Sequence, residues 1–184
     1  GAEPAPPVLR TDAAPLMDEP ARATTFATLQ VPRWGGAPQP ISEGTAKHEV
    51  LDRLGIGHYD GTAMPGGVGN FAVAGHRTTY GKPFNRIEEL LVGDALVVRT
   101  ESTWYVYRVT STQVVSPRAV EVIDPAPQEP GAVPTLAQMT LTTCHPLYSA
   151  RERYVVHALL EGWLPVSEGT PQALSEGAAT DGGG

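Results

Sequence analysis

Three residues of this 184-residue chain have the types needed for acyl transfer through a covalent intermediate: Cys144, His76 and Arg153. A thiolate attacks carbonyl carbon, a neighbouring cation favours its formation, and an imidazolium can return a proton to a departing amine. An arginine is no base, but its rigid fork of donors suits a developing oxyanion or a substrate carbonyl. Cys144 is the sole cysteine, which excludes an intrachain disulfide and a multi-cysteine zinc site. Its other reading is that of a small buried hydrophobe.

Position along the chain favours the chemical reading. The run MTLTTCHP places Cys144 at the end of a β-like segment, stopped by Pro146, which cannot continue a ladder. Nine residues later Arg153 opens the next such segment, Tyr154 to Leu160. Two antiparallel strands joined by that loop would carry Arg153 back towards Cys144. Far upstream, NFAVAGHR sets His76 just beyond another β-like run and a glycine.

The chain has five histidines. His145 is adjacent to Cys144, but successive side chains of a strand point to opposite faces, which argues against pairing. His157 lies inside YVVHALL and reads as a satisfied strand-face histidine, His48 as the solvated side of a short helix, and His58 as a hydrogen-bonded loop residue. Arg151, Glu152 and Arg153 also read as a solvated charge cluster, and Thr78, Thr79 and Tyr80 as turn chemistry. Neither a GxxxxGK[ST] nor a GxGxxG string is present, so nucleotide binding has no support.

The elements that must hold these residues are short strands. β-rich runs at Phe26–Val31, Asn70–Ala74, Ala95–Thr100, Thr103–Thr110, Gln113–Ser116, Met139–Thr143 and Tyr154–Leu160 are separated by turn signals, with Glu101-Ser102 as a hairpin connection. Thr45 before AKHEVLDRL and Asn85 before RIEELL predict two short helices. With 20 glycines and 18 prolines, the chain reads as all-β with minor helices, a closed or partly closed barrel or a sandwich, and not as a helical bundle. The proline-punctuated stretch from Ser116 to Thr135 reads as a long loop.

Residues 1–22 and 166–184 read as disordered arms flanking one domain at 23–165. Of the net charge of −7, three units lie in residues 1–20 and three in 166–184, so the middle is almost neutral. That removes the basic footprint of nucleic-acid binding. No stretch approaches the roughly 20 apolar residues that cross a bilayer, so the chain reads as soluble, with membrane contact only through an anchor outside it.

These residues resemble the sortases, cysteine transpeptidases of Gram-positive cell surfaces. The TLxTC motif of that family appears as Thr140-Leu141-Thr142-Thr143-Cys144, its histidine as His76 in AGHR, and its arginine as Arg153 in RYVV. The longer strings GNFAVAGHRTTYGKPFNRIEEL and LTTCHPLYSARERYVVHA resemble class E, found in high-GC actinobacteria. The resemblance covers about Ala23 to Trp163. It implies an eight-stranded β-barrel with the site at strand ends. It implies Cys144 as nucleophile, His76 as general acid/base and Arg153 as oxyanion or carbonyl stabiliser, with Thr143, Thr78, Thr79 and Tyr80 as sorting-signal contacts. It implies cleavage of an LAxTG-type sorting signal between Thr and Gly through a thioester. The acyl group then passes to an amine of a peptidoglycan precursor or a pilin lysine, outside the cell membrane. No acidic run borders the site, so neither metal nor cofactor is expected. Two other readings stay open on sequence: a cysteine hydrolase or L,D-transpeptidase-like crosslinker, and a non-catalytic barrel binding wall polymers or peptides.

Overall fold

The computed structural model of the chain describes residues 5–78, 80–145 and 152–176, the side chains of 144 and 145 excepted. Its strands are β1 Thr25–Gln30, β2 Gln39–Glu43, β3 Ile56–His58, β4 Gly69–Ala74, β5 Ala95–Arg99, β6 Thr103–Val115, β7 Ala137–His145 and β8 Glu152–Pro165. They close into one barrel in the order β1-β2-β3-β4-β7-β8-β6-β5. Closure leaves no unpaired edge, and the expected eight-stranded barrel is what forms.

Inward-facing residues follow the strand period of two. Phe71 and Val73 of β4, Met139 and Leu141 of β7, and Val156 and Ala158 of β8 meet Tyr105 and Tyr107 of β6 in the core. The alternate residues carry a polar chain across four neighbouring strands. Gln113 Nε2 donates to His157 Nε2 (3.2 Å), His157 Nδ1 lies 2.8 Å from Thr140 Oγ1, and Thr140 Oγ1 donates to Asn70 Oδ1 (2.7 Å). Asn70 Nδ2 in turn donates to the carbonyls of Val122 and Asp124, which lays the proline-rich segment over β4. His157 is therefore the satisfied strand-face histidine expected of it. Burial drives its imidazole down to about 4, so it is neutral at pH 7.

Several elements differ from expectation. The two runs between Thr103 and Ser116 form one strand, carried past register shifts at Val106/Tyr107 and Val109/Ser111. Strands β2 and β3 were not expected: Pro40 and Gly57 argue against a strand locally, and only pairing with β1 and β4 recruits them. The predicted helices shrink to single turns, Lys47–Leu51 and Ile87–Glu89, and a further turn, Val120–Ile123, interrupts the long loop.

The described parts of the two segments read as disordered arms lie against the barrel instead. Arg10 exchanges both backbone hydrogen bonds with Trp163 (2.8 and 2.9 Å), pairs with Glu168 and stacks its guanidinium on the Trp163 ring. Trp163 Nε1 donates to Asp12 O, and Tyr105 donates its hydroxyl proton to Pro15 O. On the other side Ala173 is buried with Trp104, whose Nε1 donates to Gly169 O. Proline-rich composition hid these partners, because a segment without periodicity can still order when a barrel supplies its hydrogen bonds.

Candidate active site

Strand pairing decides which chain ends meet. β4 runs parallel to β7, with Val73 opposite Leu141 and Ala74 opposite Thr142, and Gly75 N continues the ladder to Thr142 O (3.2 Å). His76 lies two residues beyond Ala74 and Cys144 two beyond Thr142, so both leave the barrel at one rim. β8 runs antiparallel to β7, and Cys144 pairs directly with Arg153. Directly paired residues of such a ladder have Cα atoms about 4.5 to 5.5 Å apart. Sequence reasoning brought Arg153 back to Cys144 correctly; the approach of His76 is a product of long-range parallel pairing.

The loop carrying His76 is clamped on its backbone. Phe84 N donates to His76 O (3.1 Å) and Asn85 Nδ2 to Arg77 O (3.3 Å), while buried Arg77 pairs with Glu88 (2.8 Å). Gly75 is required here: a Cβ would lie 2.9 to 3.1 Å from the ring of Phe84, which is fully buried. The imidazole of His76 is 18 % exposed, and its Nε2 lies 2.6 Å from Asp52 Oδ1.

Asp52 was not singled out in the sequence. It follows the turn Lys47–Leu51, whose hydrogen bonds have the wide i→i+5 spacing: Leu51 N to Ala46 O (3.1 Å) and Asp52 N to Lys47 O (2.7 Å). Buried Val50 anchors that turn, and Gly57 of β3 lets it approach. A Cβ on Gly57 would overlap the Gly44 carbonyl oxygen and press on Leu51 (3.0 Å) and Val50 (3.1 Å). His48 is solvated as expected, and its Nδ1 lies 3.0 Å from the second oxygen of Asp52. The one local signal was the i, i+4 spacing of His48 and Asp52.

The expected peptide contacts separate. Tyr80 is exposed, in the left-handed region at φ 50°, with its ring 5.4 Å from that of His76. Thr78 is half-buried, and Thr79 lies outside the described residues. Thr143 is buried and, among the described residues, its Oγ1 has no hydrogen-bond partner, so its side chain is packed within the protein and is not open to a peptide. Arg153 is half-buried, and among the described residues no carboxylate pairs with it; Arg151 lies outside them.

His58 is the hydrogen-bonded residue expected, on β3 rather than in a loop. Its Nδ1 lies 2.7 Å from Glu43 Oε1 and its Nε2 2.8 Å from Thr62 Oγ1. Glu19, Glu43 and His58 are the group of described residues close enough to receive a cation, within 4.8 Å of one another. Burial, followed by hydrogen bonding to Asp60 and the charge of Glu19, pushes Glu43 up to about 9, and burial pushes His58 down. Glu43 thus holds a proton at neutral pH. Glu19 also accepts from Gly61 N (3.1 Å), so the cluster ties the N-terminal segment to β2 and β3.

The Sortase domain family profile matches residues 29–161. The chain belongs to the sortase family. It is 42 % identical over 155 residues, 81 % of its length, to sortase SrtE1 of Streptomyces coelicolor, and covers 44 % of that protein. Against SrtE2 of the same organism it is 42 % identical over 92 residues and covers 35 %. The chain therefore spans less than half of these curated relatives. Among solved structures it is similar to the SrtA sortase of Actinomyces oris (TM-score 0.85, 45 % identity, 90 % of this chain and 96 % of that one). It is also similar to sortase E1 of S. coelicolor with a tripeptide in the active site (TM-score 0.75, 41 % identity, 84 % and 99 %). The resemblance to class E sortases is thus shown, and the family is one of cell-surface transpeptidases. Among the described residues no helix is long and apolar enough to cross a membrane.

Proposed function

We propose that this sortase is a cysteine transpeptidase that cleaves an LAxTG-type sorting signal between Thr and Gly and joins the acyl part to a cell-wall amine at the cell surface. The observation that carries the reading is the common rim of β4, β7 and β8, to which the distant β4 segment brings His76 beside the neighbouring strands of Cys144 and Arg153. The S. coelicolor enzyme holding a tripeptide in its active site supports a peptide substrate.

In this mechanism the Cys144 thiolate attacks the Thr carbonyl carbon and the C=O electrons move onto oxygen. Arg153 donates hydrogen bonds to that oxyanion. Collapse re-forms the carbonyl and breaks the Thr–Gly C–N bond, and His76 gives its proton to the departing glycine amine. The acceptor amine then attacks the thioester, His76 takes a proton from it, and the thiolate leaves. Tyr80 and Thr78, beside His76, contact the bound signal. Thr79 completes that set, whereas buried Thr143 supports the strand end from within.

The test is incubation of the protein with an LAxTG-type peptide and a primary-amine acceptor, followed by mass spectrometry. An acyl-enzyme and a ligated peptide are expected. Absence of both refutes the enzyme reading in favour of a binding barrel, and cleavage without ligation identifies a hydrolase.

A further inference from the structure

We infer that Asp52 is a positioning residue for His76: its carboxylate holds the imidazole at Nε2, so that Nδ1 is the nitrogen through which the proton of the reaction is exchanged. This rests on His76 being the acid/base of the proposed transpeptidation. The first support is chemical. An ionised carboxylate accepts hydrogen bonds and donates none. The 2.6 Å contact between Asp52 Oδ1 and His76 Nε2 therefore places a hydrogen on Nε2. A neutral imidazole has one N–H, so its lone pair is then on Nδ1. When His76 is cationic, Nε2–H remains with Asp52 and Nδ1–H is the proton available to the leaving amine.

The second support is that the carboxylate is held in place. Its side chain is only 8 % exposed, its other oxygen faces His48 Nδ1 at 3.0 Å, and its own N–H is bound to Lys47 O. Its position depends on the turn that Gly57 admits against β3. A carboxylate fixed on both oxygens presents one direction to the ring, which sets both tautomer and ring plane. Charge adds to this: an imidazolium formed during turnover lies beside a shielded anion, where the attraction exceeds that in bulk water.

A purely structural role predicts something different. If the contact only joins the Lys47–Leu51 turn to the His76 loop, its loss changes stability and leaves the chemistry of the ring alone. The readout that separates the two is the tautomer of His76, measured by 15N–1H correlation on wild-type protein labelled at histidine and assigned with His76→Gln. Neutral His76 as the Nε2–H tautomer is expected. In Asp52→Asn, whose amide can donate as well as accept, the two tautomers should mix. Turnover of the LAxTG-type peptide should fall at least roughly tenfold in kcat, with KM within about twofold. Asp52→Glu should recover part of the loss. Wild-type His76 as the Nδ1–H tautomer, or Asp52→Asn with kcat within about twofold of wild type, overturns the inference. Should Asp52→Asn fail to fold, the wild-type tautomer still decides. The underlying reading fails separately: it falls if His76→Gln turns over normally, whereas an inactive His76→Gln beside a fully active Asp52→Asn removes only the role of Asp52.

Discussion

Cys144 and Arg153 sit opposite each other in the antiparallel β7–β8 ladder, nine residues apart in sequence and direct partners in register. In the proposed mechanism Arg153, one ladder step from Cys144, donates to the oxyanion formed on the carbonyl under attack. Arg153→Lys keeps the charge and loses the planar fork, so kcat for peptide cleavage should fall roughly 10²-fold or more. A rate within about threefold of wild type would return Arg153 to the solvated cluster with Glu152.

In the proposed mechanism the thioester forms on Cys144, and Cys144→Ala removes the attacking atom. Cleavage and ligation should drop by at least roughly 10³-fold and no acyl-enzyme should appear in the intact mass. The far-ultraviolet dichroism and the melting temperature should stay close to wild type. Residual ligation at the wild-type rate would place the nucleophile elsewhere.

Gly57 marks where the Asp52-bearing turn meets β3. Gly57→Ala puts a methyl against the Gly44 carbonyl, Val50 and Leu51. Overpacking of that kind costs about 1 to 3 kcal/mol, which for a chain of this size lowers the melting point by several degrees. Activity should fall further than the folded fraction does, because the turn that carries Asp52 is what must shift. A melt indistinguishable from wild type would show that the turn yields freely.

His157 makes stability pH-dependent. Its neutral form is the one built into the Asn70–Thr140–His157–Gln113 chain, and its imidazole is held at about 4 against an ordinary 6.5. A depressed folded-state value means the contribution is fully present above pH 6.5 and is lost as pH falls through about 4. The loss amounts to roughly 3 kcal/mol at most. Denaturant unfolding from pH 7 to pH 4 should show this slope, and His157→Gln should flatten it. Equal slopes in the two proteins would assign the acid sensitivity to other groups.

How much of this was legible beforehand depended on the range of the contact involved. The strands β1, β4, β5, β7 and β8 announce themselves by β-branched and aromatic runs, since a pleated half-buried surface selects those side chains locally. The Cys144–Arg153 partnership was legible because one short connection joins their strands. Strands β2 and β3 were not, since their Pro40 and Gly57 obey tertiary neighbours, and neither were the docked segments around Arg10 and Ala173, whose partners lie on the barrel wall.

The sequence by itself determined the chemical inventory and its family: one thiol, one histidine at a strand exit, one arginine at a strand start, in a TLxTC-bearing chain of β type. Only the tertiary structure decided that His76 shares a rim with Cys144, because parallel pairing of β4 with β7 joins residues nearly seventy apart, and no local pattern encodes the register between such strands. It also decided that the imidazole has a carboxylate at its back. Asp52 and His76 are 24 residues apart on separate elements, and their 2.6 Å contact exists only because β3 and the turn before it fold onto the end of β4.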